Sequence, residues 1–121
     1  MDTAHGNGAL AKVIFENEYL PDDDLKIRLC EICSRIKADF VKTSTGFGFV
    51  KHPDGSMAPI GATDHDLRLM RAHTDPAIGL KASGGVRTIE DALRVGDLGA
   101  TRIGTRSTPP IVEGQRVAQE S

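Results

Sequence analysis

Asp39-Phe40-Val41-Lys42-Thr43-Ser44-Thr45-Gly46 and Ile78-Gly79-Leu80-Lys81-Ala82-Ser83-Gly84-Gly85 repeat one device: a short strand-like run, a lysine near its end, and a turn of small residues. Strand side chains alternate between faces, so Phe40 and Lys42 share one face, as do Gly79 and Lys81. A lysine inside a strand does little for fold stability, because burying an unpaired ammonium is costly. Two ammonium groups facing one site repel, which leaves one of them neutral near pH 7. A neutral lysine amine attacks carbonyl carbon, the basis of Schiff-base catalysis. The pair points to imine chemistry.

The segments around these runs alternate strand and helix, the pattern of parallel βαβ units. Residues 11–16 read as a strand. Pro21 and the acids Asp22, Asp23 and Asp24 start a helix, with negative charge at its positive end. Leu25, Leu29, Ile32, Cys33 and Ile36 recur at helical spacing and are expected to form its buried stripe. Residues 40–43 are the second strand. Residues 47–60 read as a loop that turns at Pro53-Asp54-Gly55. Thr63 is placed to cap a helix running to about His73, and Pro76 follows its end. Residues 78–81 form the third strand, and Thr88 caps a helix that carries Ile89, Ala92, Leu93 and Val95 and stops at Gly99. A short fourth strand covers residues 101–104. The tail from 109 to 121 contains Pro109-Pro110 and is expected as one weak helix or as disorder.

The chain has 121 residues, the size of a single domain, and it is shorter than the roughly 250 residues of a full (β/α)8 barrel. Its formal net charge of −2 gives no electrostatic case for nucleic acid or a membrane surface. No apolar run reaches the ~18 residues of a spanning helix, and Met1 to Gly8 has no signal-peptide pattern, so a cytoplasmic location is expected. Cys30 and Cys33 form a Cys-x-x-Cys, but they fall inside a helix and make no spaced set with His5, His52, His65 or His73. They are expected as small apolar residues on a helix face rather than as a redox or zinc site.

Lys-Thr-Ser-Thr-Gly at 42–46 and Lys-Ala-Ser-Gly-Gly-Val-Arg-Thr at 81–88 resemble the two signatures of deoxyribose-phosphate aldolases. Lys12-Val13-Ile14-Phe15-Glu16 and Gly99-Ala100-Thr101-Arg102-Ile103-Gly104-Thr105 match upstream and downstream segments of that family, in the same order. The resemblance covers roughly residues 9 to 108. It implies an α/β fold that is a partial TIM (β/α)8 barrel, made of the last four βα units. The first and last strands would then have open edges, and the barrel-lining face would meet solvent.

The resemblance also implies roles. Lys42 is the imine-forming lysine. Lys81 is the second catalytic lysine, whose charge favours the neutral amine of Lys42. Lys12 and Thr45 border the substrate, and Gly46, Gly84, Gly85, Gly104 and Ser107 border its phosphate. Arg106 stands where many members carry a small hydroxyl residue. The glycine turns support a phosphate independently, since they let backbone N–H groups approach an anion. Barrels often bind phosphate after their seventh and eighth strands.

The implied reaction is metal-free and cofactor-free. It is the reversible cleavage of 2-deoxy-D-ribose 5-phosphate to D-glyceraldehyde 3-phosphate and acetaldehyde in deoxyribonucleotide catabolism, by a homo-oligomer. The family's relay aspartate has no counterpart here, and Glu16 does not match its position. The alternative is a catalytically inactive half-barrel that binds phosphate or serves in assembly.

Overall fold

The computed structural model describes residues 1–120. A short helix α1 (Asp2–Gly6) precedes strand β1 (Lys12–Ile14), and a 3-10 turn at Asn17–Tyr19 leads into α2 (Asp23–Arg35). The chain continues through β2 (Phe40–Lys42), β3 (Phe49–Lys51), β4 (Met57–Pro59), α3 (Asp64–His73), β5 (Gly79–Ser83), α4 (Ile89–Asp97), β6 (Arg102–Gly104) and α5 (Thr108–Glu120). Four strands form one parallel sheet in the order β1-β2-β5-β6. Helices connect successive strands of this sheet, which is the architecture of a partial barrel. Among the described residues, β1 and β6 are its edges.

Caps set two of the helices. The Thr63 side chain accepts the Asp66 N–H at the start of α3. Thr88 and Asp91 form a reciprocal capping box at the start of α4. One face of the sheet buries Val41, Leu80 and Ala82 completely, against Cys30, Cys33, Leu67, Met70 and Val95. Each large aliphatic side chain removed from water there contributes about 1.5–3 kcal/mol. The opposite face carries the lysines.

Four expectations are corrected. Of the stripe expected for α2, Cys33 is buried and Leu29 packs against the core, but Leu25, Ile32 and Ile36 are not covered. Leu25, Ile32 and Ile36 are 41–43% exposed, and the covered residues are Lys26, Cys30 and Cys33, with Leu29 packed at the margin. The cause is an ion pair: Lys26 Nζ lies 2.8 Å from Asp66 Oδ1 of α3, with both residues buried. That pair turns the helix one step away from its most apolar face. Residues 47–60 are not only loop. They fold as the antiparallel β3–β4 hairpin, turning at Pro53-Asp54-Gly55, where Asp54 Oδ1 accepts both the N–H and hydroxyl of Ser56. Strand β1 is shorter than residues 11–16, because Glu16 turns left-handed (φ 42°) and leaves the extended path. Strand β5 runs past residue 81, to Ser83.

The segment after Ser107 is helical and lies against α4. A Cβ on Gly114 would come within 2.8 Å of Ile89 Cγ2, so the two helices touch closely there. Cys30 and Cys33 are buried free thiols. Burial, with the neighbouring Cys30, pushes the Cys33 thiol up to about 11. A thiolate is therefore disfavoured, which argues against redox or zinc chemistry at this pair.

Candidate active site

The site is built on strand register. Ile14 is the cross-strand partner of Lys42, Lys42 of Lys81, and Lys81 of Arg102. Paired residues of parallel strands point to the same face about 4.8 Å apart. Lys42, Lys81 and Arg102 thus stand abreast, Lys42 at the C-terminal end of β2, Lys81 in the middle of β5 and Arg102 at the start of β6. Two residues earlier the row is Lys12, Phe40 and Gly79. The Phe40 ring lies directly over Gly79, where an added Cβ would sit 2.4 Å from Phe40 Cε1. The Arg102 guanidinium stacks on the same ring, 4.1 Å from its centroid. This face is open: Ile14 and Lys12 are exposed, while Phe40, Lys42 and Lys81 are half-buried.

The Lys81 ammonium is disfavoured. Burial lowers its pKa first, and the charges of Lys12 and Lys42, a hydrogen bond with Lys12 and the charge of Arg102 lower it further. Lys81 stands between Lys42 on one strand and Arg102 on the next, which explains why it is the crowded cation. All three lysines singled out from the sequence therefore meet on one face.

The turn after β2 is fixed by carboxylates. The regular ladder breaks at Thr43, whose carbonyl accepts Asn17 N–H rather than Ser83 N–H. The buried Thr43 hydroxyl takes over, accepting Ser83 N–H at 3.1 Å and donating to the Ser83 carbonyl at 3.2 Å. Glu16 then receives the Thr45 N–H (3.1 Å) and the Thr45 hydroxyl (2.6 Å). Burial pushes the Glu16 carboxyl up, but hydrogen bonds from Thr45 and Ser44 outweigh it and hold the group below the usual glutamate range. Ser44 donates to Glu18 Oε1 at 2.7 Å. The left-handed backbone at Glu16 is what aims its side chain at this turn. Glu16 is spent on Thr45, so it is not a free proton carrier.

Beside the lysine row lies a cavity of about 560 Å³. Thr45, Gly46, Gly84, Gly85, Gly104 and Ser107 all line it, joined by Arg87 and Arg106. Among the described residues no carboxylate lines it. Lys12, Lys42 and Lys81 do not line this cavity; they stand on the adjoining sheet face. The amides of Gly84, Gly85 and Val86 donate to no described group. Two turns meet in its wall: Ala62 N–H donates to the Gly84 carbonyl, and a Cβ on Gly84 would lie 2.6 Å from Gly61 Cα. Only glycine allows this approach. Two expected anion donors are already used. Gly46 N–H donates to Ser44 Oγ, and Ser107 N–H donates to Thr105 Oγ1.

Arg102 and Arg87 were not singled out from the sequence. The alternation of residues 101–104 would have placed Arg102 beside Lys81 once the register was known. A second acidic group, Asp23, His65 and Asp66, lies within 4.8 Å on α2 and α3. The Lys26 ammonium sits 2.8 Å from Asp66 and 3.7 Å from Asp23 and supplies its positive charge. Among the described residues no helix is long and apolar enough to cross a membrane.

No protein-family model matches the chain. The deoxyribose-phosphate aldolase of Thermococcus gammatolerans is 49% identical over 116 residues, which is 96% of this chain and 47% of that protein. The aldolase QR15 superposes with a TM-score of 0.76 at 38% identity, over 94% of this chain and 46% of that one. The deoxyribose-phosphate aldolase of Aeropyrum pernix, described as a unique tetramer, gives a TM-score of 0.77 at 31% identity, over 97% and 46%. The chain is a relative of the deoxyribose-phosphate aldolases and spans about half the length of the curated relatives it matches.

Proposed function

We propose that this relative of the deoxyribose-phosphate aldolases carries the Schiff-base lysines and phosphate cradle of a class I aldolase acting on 2-deoxy-D-ribose 5-phosphate. The observation that carries the reading is the direct cross-strand pairing of Lys42 with Lys81, beside a carboxylate-free cavity lined by glycine turns. The cavity would hold the phosphate, and the sheet face would hold the aldehyde end. Binding at one end orients the reacting bond at the other.

The neutral amine of Lys42 attacks the sugar aldehyde carbon. Water leaves, and a protonated imine remains on Lys42. The C3 hydroxyl then loses its proton and the C2–C3 bond breaks. Its electron pair moves onto C2 and into the imine as an enamine, while D-glyceraldehyde 3-phosphate leaves. Protonation at C2 and addition of water release acetaldehyde and restore the amine. The lowered pKa of Lys81 makes its ammonium the readier proton donor beside the imine. Thr45, with its proton given to Glu16, faces the substrate as an acceptor. Self-association belongs to the same proposal, supported by the tetrameric Aeropyrum relative and by the two open sheet edges.

Borohydride reduction in the presence of 2-deoxy-D-ribose 5-phosphate, followed by peptide mapping, should place the adduct on Lys42. An adduct on Lys81 or Lys12 instead would reassign the nucleophile.

A further inference from the structure

We propose that Arg106 makes this chain selective for a phosphorylated substrate, by leaving the Phe47 ring and clasping the phosphate held over the Gly84–Gly85 turn; the inference rests on the aldolase reading above. Arg106 and Phe47 face each other across the mouth of the cavity, from the loops after β6 and β2. The Arg106 guanidinium lies 5.4 Å from the Phe47 ring centroid. Phe47 is 65% exposed, so the contact is a wet one and weak. Arg106 enters no ion pair among the described residues, in contrast to Arg94, which bridges Asp64 and Asp91. The protein thus holds a cation at the rim of its cavity with no carboxylate to answer it.

A guanidinium matches a phosphate with two parallel hydrogen bonds, and the charge strengthens both. A small hydroxyl at this position could offer one neutral bond. The Phe47 ring keeps the guanidinium near the cavity in the free protein, which limits the ordering needed on binding. The ring gives up a weak contact, and the phosphate supplies a strong one. The open amides of Gly84, Gly85 and Val86 would face the same anion from the floor. A phosphate ester takes its second charge with a pKa of about 6, so Arg106 should matter more above that pH than below it.

The test compares the chain with its Arg106→Ser and Arg106→Lys variants. Borohydride trapping on 2-deoxyribose 5-phosphate and on 2-deoxyribose gives a half-saturating concentration for each sugar. In the unmodified chain the phosphorylated sugar should be preferred, and Arg106→Ser should cut that preference about tenfold, the value of one charge-assisted pair. The cut should shrink below about pH 6, and Arg106→Lys should recover part of it. An equal loss for both sugars, or an unaltered preference, overturns the proposal. If neither sugar is trapped, the aldolase reading fails, and titration with inorganic phosphate decides on Arg106 alone. Phosphate should then shift the Gly85 amide resonance, with about tenfold weaker binding in Arg106→Ser. No shift, or equal binding in the variant, overturns the proposal in that arm.

Discussion

Thr43→Val tests how the end of β2 is tied to the glycine turn. The Thr43 hydroxyl is fully buried, and both its hydrogen bonds go to the backbone of Ser83. It replaces the ladder bond lost when the Thr43 carbonyl turns to Asn17 N–H. Valine has nearly the same shape and neither donates nor accepts. The Ser83 N–H and carbonyl would be left buried without partners, at about 1–3 kcal/mol for each unsatisfied group, or roughly 2–6 kcal/mol together. Thr43→Ser keeps the hydroxyl and loses one methyl, which costs about 1 kcal/mol. Urea unfolding followed by circular dichroism reads both variants, with the slope held as a check on the denatured state. Valine should lower the midpoint clearly more than serine. Equal losses would mean that the hydroxyl bridge carries no net stability, and the account of how β2 ends would be wrong.

Lys81→Met should stabilise the fold at neutral pH, with the gain fading as pH rises toward 10.5. The sign follows from the depressed pKa: below its folded value Lys81 is charged in both states and strains only the folded one, so native stability rises with pH through the window up to 10.5. Thermal melts at a series of pH values check it, and a gain that grows toward pH 10 would contradict it. Lys26→Met should cost about 3–5 kcal/mol by stranding Asp66, while the double variant Lys26→Met/Asp66→Leu should recover most of that. Additive losses in the double-mutant cycle would show that the two groups do not act as a pair.

The inner face of the sheet was legible because its residues make poor sense otherwise. Lysines inside strands do little for packing, so Lys42 and Lys81 stood out in the sequence, and the register then set them side by side. Thr63 and Thr88 were legible for a similar reason: a hydroxyl before a helical run has one backbone task. The outer face of α2 was not. Its rotation is set by Lys26 meeting Asp66, which lie 40 positions apart, and a hydrophobic count treats both as solvent-facing. The β3–β4 hairpin escaped because its strands hold three residues each, too few to display a period. Glu16 escaped because its left-handed backbone, which turns the carboxylate onto Thr45, is rare for a residue with a side chain.

Charge is distributed unevenly over the chain. The chain is net negative, with a formal charge of −2, yet Lys12, Lys42, Lys81 and Arg102 share one sheet face, and none of the four forms an ion pair with a described residue. The acids that could answer them are placed elsewhere. Asp23 and Asp66 hold Lys26, Asp64 and Asp91 hold Arg94, and Glu16 holds Thr45. A lysine face without carboxylates among the described residues keeps the Lys81 ammonium easy to deprotonate and leaves the cavity beside it open to an anion from outside. The unanswered charge destabilises the empty protein, and a bound phosphate would relieve it.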